Sequence, residues 1–503
     1  MASLPVNGTK LSSGSPIVGE AERINARIDR LPATRSIWML VFVLAIGGWF
    51  EFYDLFLTAY VGPGLVKSGL YSTTTASFFG FSGLGAFVAA SFAGLFIGTF
   101  CLSRLADRFG RKTTFTVSLL WYSVATFVMA WQDSASAINL WRLIAGIGVG
   151  VELVTIDTYV SELVPMHLRG RAFAFVHVVQ YAAVPAVALF AWWLVPRTPW
   201  GIDGWRWVVV IGSLGAFVVW AIRRRVPESP RWLAQQGRLE EAESVTHALE
   251  AKVMEQCGKA LPAPVERVER AVTVGKARFG EIWQPPYRRR AITMLVFNLF
   301  QAIGFYGFAS WVPTLLVSKG VTVTHSLMYS FVIAASNPFG PLIAMTFADR
   351  IERKTLIVLS ALGIAVFGSL FATQSSPAIL MMLGVLITLC GTLLSVGYHA
   401  YQTELFPTRI RATAVGFVYS MSRLSAMFSG FMIAFALRHF GVEGVFGLIG
   451  GAMVVVTLQC GHSRGISFWF ATALMNFSED TSSIGNCRCP PARRMNAPIA
   501  LSA

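Results

Sequence analysis

Residues 98–112 read GTFCLSRLADRFGRK and residues 340–354 read GPLIAMTFADRIERK. At an offset of 242, Gly98/Gly340, Ala106/Ala348, Asp107/Asp349, Arg108/Arg350, Arg111/Arg353 and Lys112/Lys354 coincide. The same offset pairs Tyr159, Glu162, Leu163, Pro165 and Arg169 with Tyr401, Glu404, Leu405, Pro407 and Arg411. A register that holds without a gap across charged and proline positions marks an internal duplication.

Working outward, the duplicated unit consists of apolar spans. The chain has 503 residues, 54% hydrophobic and 13% charged, with a mean hydropathy of +0.59, which excludes disordered and small disulfide-scaffold classes. Apolar windows recur at 37–61, 77–102, 113–131, 138–160, 172–195 and 206–222, and again at 291–317, 328–347, 355–373, 378–401, 412–436 and 444–458. Each approaches the roughly 20 residues that a bilayer-spanning helix needs. The expected fold is therefore all-α, with twelve transmembrane helices in two halves. These are an N-terminal bundle at 37–222 and a C-terminal bundle at 291–458. They are joined by a polar linker at 223–290, with a tail at 1–36 before them and an atypical tail at 459–503 after them. The last window is short, and the apolar patch and Cys/Pro/Arg stretch that follow have no counterpart in the first half.

The net charge of +15 would suit a nucleic-acid binder if the charge lay on one soluble face. Instead, with both termini placed inside, 34 of the 41 Lys and Arg residues fall in the tails, the linker and the loops of one side. That is the positive-inside pattern, so the expected setting is the plasma (inner) membrane with both termini cytoplasmic and no nucleic-acid partner. Arg and Lys precede the first apolar run, so no cleavable signal peptide is expected. The six cysteines are too scattered for a disulfide framework. No phosphate loop is present, and His462 with Cys487 and Cys489 fits no tetrahedral spacing. No cofactor, no metal and no enzyme activity are expected; the partners are the bilayer, protons and a small molecule, and the expected state is a monomer.

On the residues quoted, the chain resembles the major facilitator superfamily, whose loops after spans two and eight carry a motif similar to Gly98–Lys112. Arg142 followed by Gly146, Gly148 and Gly150, the run Pro227–Leu233 (PESPRWL), and Glu404–Arg411 (ELFPTRIR) resemble its sugar-porter and metabolite:proton symporter branches. The resemblance implies secondary transport by alternating access, with inter-helix charge bridges closing the inner side. The gate residues would be Gly98, Asp107, Arg108, Gly110, Arg111, Lys112, Glu162 and Arg169, with Asp349, Arg350, Arg353, Lys354, Glu404 and Arg411 in the second copy.

Charges inside the membrane are costly and mark function by default. Glu51 and Asp54 lie on one face of the first span, at a place where similar symporters carry an acidic, aromatic-rich motif. Their counterparts at the 242 offset are Thr293 and Val296, so coupling chemistry is expected in the first half. Arg142, Glu152 and Asp157 lie on the fourth span, with Arg142 and Asp157 about 60° apart around the helix. Arg142 is expected to neutralise Asp54 or Glu51, making these five residues the proton-coupling candidates. Arg423 in span eleven offers a bidentate fork for a carboxylate. Its partner at the 242 offset is Tyr181, which neighbours Gln180 and lies one turn past His177. With Asn298, Gln301 and Asn337, these form the candidate substrate site, and Tyr306 adds a further polar group. The expected function is proton symport of a small organic acid or related metabolite. The alternatives are a sugar or polyol porter and, of another class, a nutrient sensor on a transporter fold.

Overall fold

The computed structural model describes residues 16–72, 76–78, 81–102, 104–223, 226–264, 279–285, 287–347, 351–406 and 408–461. The chain divides into a unit Met1–Cys460 and a second unit Gly461–Ala503. The atypical tail expected at 459–503 therefore lies outside the described residues beyond Gly461.

The helices are α1 (Pro16–Asp29), α2 (Arg35–Lys67), α3 (Gly83–Ile97), α4 (Arg104–Phe109), α5 (Arg111–Met129), α6 (Ala135–Leu163), α7 (Arg169–Tyr181), α8 (Ala183–Leu194) and α9 (Gly204–Arg223). They continue with α10 (Pro230–Gln235), α11 (Leu239–Cys257), α12 (Tyr287–Ala309), α13 (Val312–Ser318), α14 (Val323–Ala334), α15 (Phe339–Phe347), α16 (Arg353–Thr373), α17 (Pro377–Glu404) and α18 (Thr408–Gly461). One antiparallel ribbon, β1 (Ala76–Phe78) with β2 (Phe81–Ser82), adds a minor exception to the all-helical expectation.

Nine helical stretches among the described residues are long and apolar enough to cross a membrane. The last, Ala414–Cys460, holds 47 residues. At 1.5 Å per residue it would reach about 70 Å, more than twice a bilayer's apolar core. Gly441 breaks it with φ 64° and ψ −162°, near the boundary expected between the last two windows. The helices α5 and α9, of 19 and 20 residues, cover two further apolar windows.

Three helix breaks trace to proline. A proline removes its own N–H and clashes with the carbonyl four residues back. Pro185, Pro313 and Pro338 direct this conflict at Tyr181, Ala309 and Ala334, which are the last residues of α7, α12 and α14.

Two glycine pairs at i,i+4 spacing bring α3 and α6 into close contact. A Cβ at Gly94, Gly98, Gly146 or Gly150 would strike the backbone carbonyl of Leu143, Ile147, Ser91 or Leu95, respectively. This is the small-residue seam through which membrane helices gain packing contact. Gly98, expected as a gate residue, takes part in this seam. A five-residue π segment, Gly98–Leu102, continues α3 towards the basic loop.

The segments expected as a tail and a linker pack together. Ile24 and Ile28 of α1 bury against Trp232, Leu233 and Ala242 of α10 and α11. Glu250 accepts both Arg27 Nη2 and Arg30 Nη2 at 2.7 Å. Asp29 Oδ1 accepts Arg231 Nη2 at 2.7 Å and the Met166 amide at 2.9 Å, so α1 bridges α10 and the turn after α6.

Two outcomes follow. Gly150→Ala should cost about 1–3 kcal/mol by overpacking the seam, whereas Gly447→Ala, with nothing within 4 Å, should be near neutral; thermal unfolding of purified protein compares them. Burial pushes the Glu250 carboxyl up, but Arg27 and Arg30 hold it net below its usual 4.5. Its contribution is therefore complete above that value and lost as pH falls through the depressed one. Hydrogen-exchange protection of α1 should hold from pH 7 to near 4.5 and fall below it, and Glu250→Gln should show the low protection already at pH 7.

Candidate functional site

A small cavity of about 50 Å³ lies among α2, α6, α7, α12, α17 and α18. Five of the expected substrate residues, Arg423, Tyr181, Gln180, His177 and Gln301, line it. Local chain breaks and gaps position them. Tyr181 and Gln180 end α7 where Pro185 interrupts the helix, and Gln180 lies in the space left by Gly48, whose Cβ would come within 2.5 Å of Gln180 Nε2.

Two expected members do not belong. Asn298 is buried, donates to the Met294 carbonyl at 2.9 Å within its own helix and does not line this cavity. Asn337 donates its side-chain amide to the Ala334 carbonyl at 3.0 Å, which also accepts the Asn337 backbone N–H, and lines a separate cavity of about 30 Å³. The two cavities share Phe56 and Phe305.

Arg423 is 3% exposed and donates Nη1 to the Tyr306 hydroxyl and Nη2 to the Tyr419 hydroxyl. Its guanidinium carbon lies 4.7 Å from the Tyr419 ring centre and 5.5 Å from that of Tyr306, a cation–π cradle. His177 Nδ1 lies 2.8 Å from the Phe173 carbonyl and His399 Nδ1 lies 2.7 Å from the Ser395 carbonyl. A carbonyl only accepts, so both rings carry the proton on Nδ1 and leave Nε2 for the cavity.

The fourth span divides its charges between two places. Arg142, wholly buried, donates Nη1 to Asp54 Oδ2 at 2.8 Å, Nη2 to the Asp54 carbonyl at 2.6 Å and Nε to Ser91 Oγ at 2.8 Å. Asp54 Oδ1 accepts Thr126 Oγ1 at 2.9 Å. Of the two acids offered to Arg142 by the sequence, Asp54 holds it. Glu51 and Glu152 are fully buried, and neither lines the cavity. Asp157, expected on the Arg142 side, instead lies exposed to the cavity beside His177, about four turns further along α6 than Arg142.

At the basic end, Arg111 donates Nη2 to Glu162 Oε1 at 2.9 Å and Nη1 to Asp107 Oδ1 at 2.8 Å. Glu162 thus pairs with α5, while Arg169 donates to the Val164 carbonyl at 3.4 Å in its own turn. Arg108 lies over the Phe109 ring at 5.3 Å. Glu228 of the PESPRWL run accepts the amides of Arg111 and Lys112 at 3.1 Å, capping the N-terminus of α5, where helix amides lack internal acceptors. Gly110, at φ 95°, leaves room for that carboxylate. Trp232 Nε1 donates to the Asp107 carbonyl at 2.9 Å. The sequence reading had used this run only for its resemblance, and its capping role was missed. In the second copy, Asp349 and Arg350 lie outside the described residues, as do the side chains of Glu404 and Arg411; Arg353 and Lys354 open α16.

The sequence reading also missed Ser395, Tyr398, His399 and Tyr419 on the cavity wall. The internal repeat held the signal. At the 242 offset, Asp157 pairs with His399, His177 with Tyr419 and Tyr181 with Arg423, and all six line one cavity.

The niacin transporter NiaP of Acinetobacter baylyi is 27% identical over 422 residues, covering 84% of this chain and 92% of that protein. The inner membrane metabolite transport protein YdjE of Escherichia coli is 26% identical over 451 residues, covering 87% and 94%. The partially occluded, inward open structure of the xylose transporter XylE from E. coli superposes with a TM-score of 0.68 at 19% identity, covering 86% of this chain and 98% of that one; it shares the fold. The family model described as sugar (and other) transporter matches residues 40–462. With multi-pass apolar helices, an internal repeat and a central cavity, this chain belongs to the sugar (and other) transporter family of the major facilitator superfamily.

Proposed function

We propose that the protein is a proton-coupled symporter of a small organic acid. One observation carries this reading: Arg423 is buried in the cavity wall, it donates to the hydroxyls of Tyr306 and Tyr419, and no carboxylate among the described residues pairs with it. A buried cation without a counter-ion is costly, and a bound carboxylate would compensate it through the guanidinium fork. A relative named for niacin, itself an aromatic carboxylate, supports the same substrate chemistry.

Coupling is assigned to Asp54 with Arg142. Separating a buried pair costs about 3–5 kcal/mol when one partner is lost. Protonation of Asp54 releases Arg142 and lowers the barrier to rearranging α2 against α6. On this reading the halves 37–222 and 291–458 rock about the cavity, and the basic loops and both termini face the cytoplasm across the plasma membrane. The protein acts as a monomer. The Arg111–Glu162–Asp107 cluster then closes the cytoplasmic side. A sugar or polyol substrate is the second reading, supported by the amides of Gln180 and Gln301 in the same wall.

In proteoliposomes with an inward pH gradient, Asp54→Asn should abolish accumulation while counterflow exchange survives; retained accumulation would remove Asp54 from coupling. Arg423→Gln should weaken carboxylate binding by about 100-fold, the scale of a charge-assisted bidentate contact. Sugar binding unchanged by Arg423→Gln, with no carboxylate bound by the wild type, would favour the second reading.

A further inference from the structure

The central cavity holds a second charge that the carboxylate reading leaves unused. Asp157 is exposed to the cavity, and no hydrogen bond or ion pair to it is found among the described residues. Arg423 lines the same chamber with tyrosine partners alone. The two opposite charges do not pair with each other. They stand on the two halves of the repeat, Asp157 on α6 and Arg423 on α18.

The wall divides in the same way. Asp157, His177 and Tyr181 come from the first half, and their repeat counterparts His399, Tyr419 and Arg423 come from the second. Duplication has placed an acid where the other copy has an imidazole, and a cation where the other copy has a phenol. A ligand bearing one negative group satisfies only the second half. It leaves the Asp157 carboxylate beside the His177 imidazole with no group of the ligand to meet it.

We infer that the substrate is an amphoteric acid: a carboxylate held by Arg423 and, across the molecule, a basic nitrogen held by Asp157. This rests on the carboxylate reading and deepens it. Asp157 and the nitrogen share one proton, either as carboxylate with a protonated nitrogen or as carboxylic acid donating to a neutral ring nitrogen. Both forms give one charge-assisted or strong hydrogen bond and leave the chamber without an uncompensated charge. The aromatic side chains of Phe52, Phe305 and Tyr398 complete walls suited to a flat ring between the two polar ends. Asp157 is thereby a specificity residue, distinct in role from Asp54, whose carboxylate is already engaged by Arg142 and Thr126.

The discriminating pair of probes is pyridine-3-carboxylate and benzoate, which differ by one ring nitrogen. Competition binding to the purified full chain should favour pyridine-3-carboxylate by about tenfold, the worth of one such hydrogen bond. In Asp157→Asn that preference should shrink towards one, while thermal unfolding in the absence of ligand reports that the variant is folded. As a second variant, Asp157→Glu should restore part of the preference. Equal binding of the two probes by wild type, or a preference that survives Asp157→Asn, overturns the inference while the carboxylate reading stands. Loss of both probes in parallel in Asp157→Asn also overturns it, since Asp157 would then serve every acid alike. Failure of the wild type to bind either acid refutes the carboxylate reading itself.

Discussion

A charge placed inside an apolar helix bundle must be compensated locally, and this constraint sorts the ionisable side chains of the chain. Arg142 and Asp54 compensate each other completely, with Ser91 and Thr126 taking the remaining polar valences. Arg111, Glu162 and Asp107 do so at the basic end, where Glu228 also neutralises the start of α5. Arg423 and Asp157 are different. Each borders the cavity, Arg423 on the hydroxyls of Tyr306 and Tyr419 and Asp157 beside His177, and no carboxylate–guanidinium pair joins them among the described residues. A pair closed on itself suits a switch, and a pair held open suits recognition.

The internal repeat explains how one cavity acquires two chemistries. Equivalent positions on α6 and α17, and on α7 and α18, face the same space because each copy folds its fourth and fifth spans alike. Sequence drift within that scaffold changes chemistry without moving backbone. Asp157 against His399 and Tyr181 against Arg423 are such changes. The helix breaks set by Pro185 and Pro313 lie on spans five and seven, both of which contribute to the cavity wall. There, a carbonyl freed from the helix ladder is tolerated because it borders protein or cavity instead of lipid.

Much of the fold was legible because the bilayer imposes composition and length on every span, and the fixed 242 offset ties one half to the other. The proline breaks at Tyr181, Ala309 and Ala334 fit the missing N–H and the clash four residues back, although Pro63 is carried within α2 without ending it. Pairing was less legible. Angular arithmetic along α6 put Arg142 and Asp157 on one side, yet about 22 Å of rise separates them along the axis, so one meets Asp54 of α2 and the other meets the cavity. Asn298 looked like a pore residue from composition, but an amide in a dry helix satisfies its own i−4 carbonyl first. The docking of α1 was hidden because a 14-residue helix is marginal by itself and gains its stability from packing. His399 and Tyr419 were within reach of the sequence, since the offset already applied to the loops points to them from Asp157 and His177.

The Asp54–Arg142 pair and the cavity are mechanically joined by α2. Asp54 faces Arg142, while Phe52, Leu55 and Phe56, all within one turn of it, line the cavity. Phe52 also meets the Tyr181 ring edge-on at 5.1 Å, and Phe56 borders both cavities. A rigid helix cannot shift Asp54 away from Arg142 without moving these rings, because all four positions lie within about 6 Å of rise along one axis. Under the symport reading, protonation at Asp54 therefore acts on the substrate chamber through the aromatic face of the same turn. This route needs no chain of intermediate side chains between the two sites. On the same reading coupling falls to the first half, since the counterparts of Glu51 and Asp54 in α12 are Thr293 and Val296, neither of which titrates.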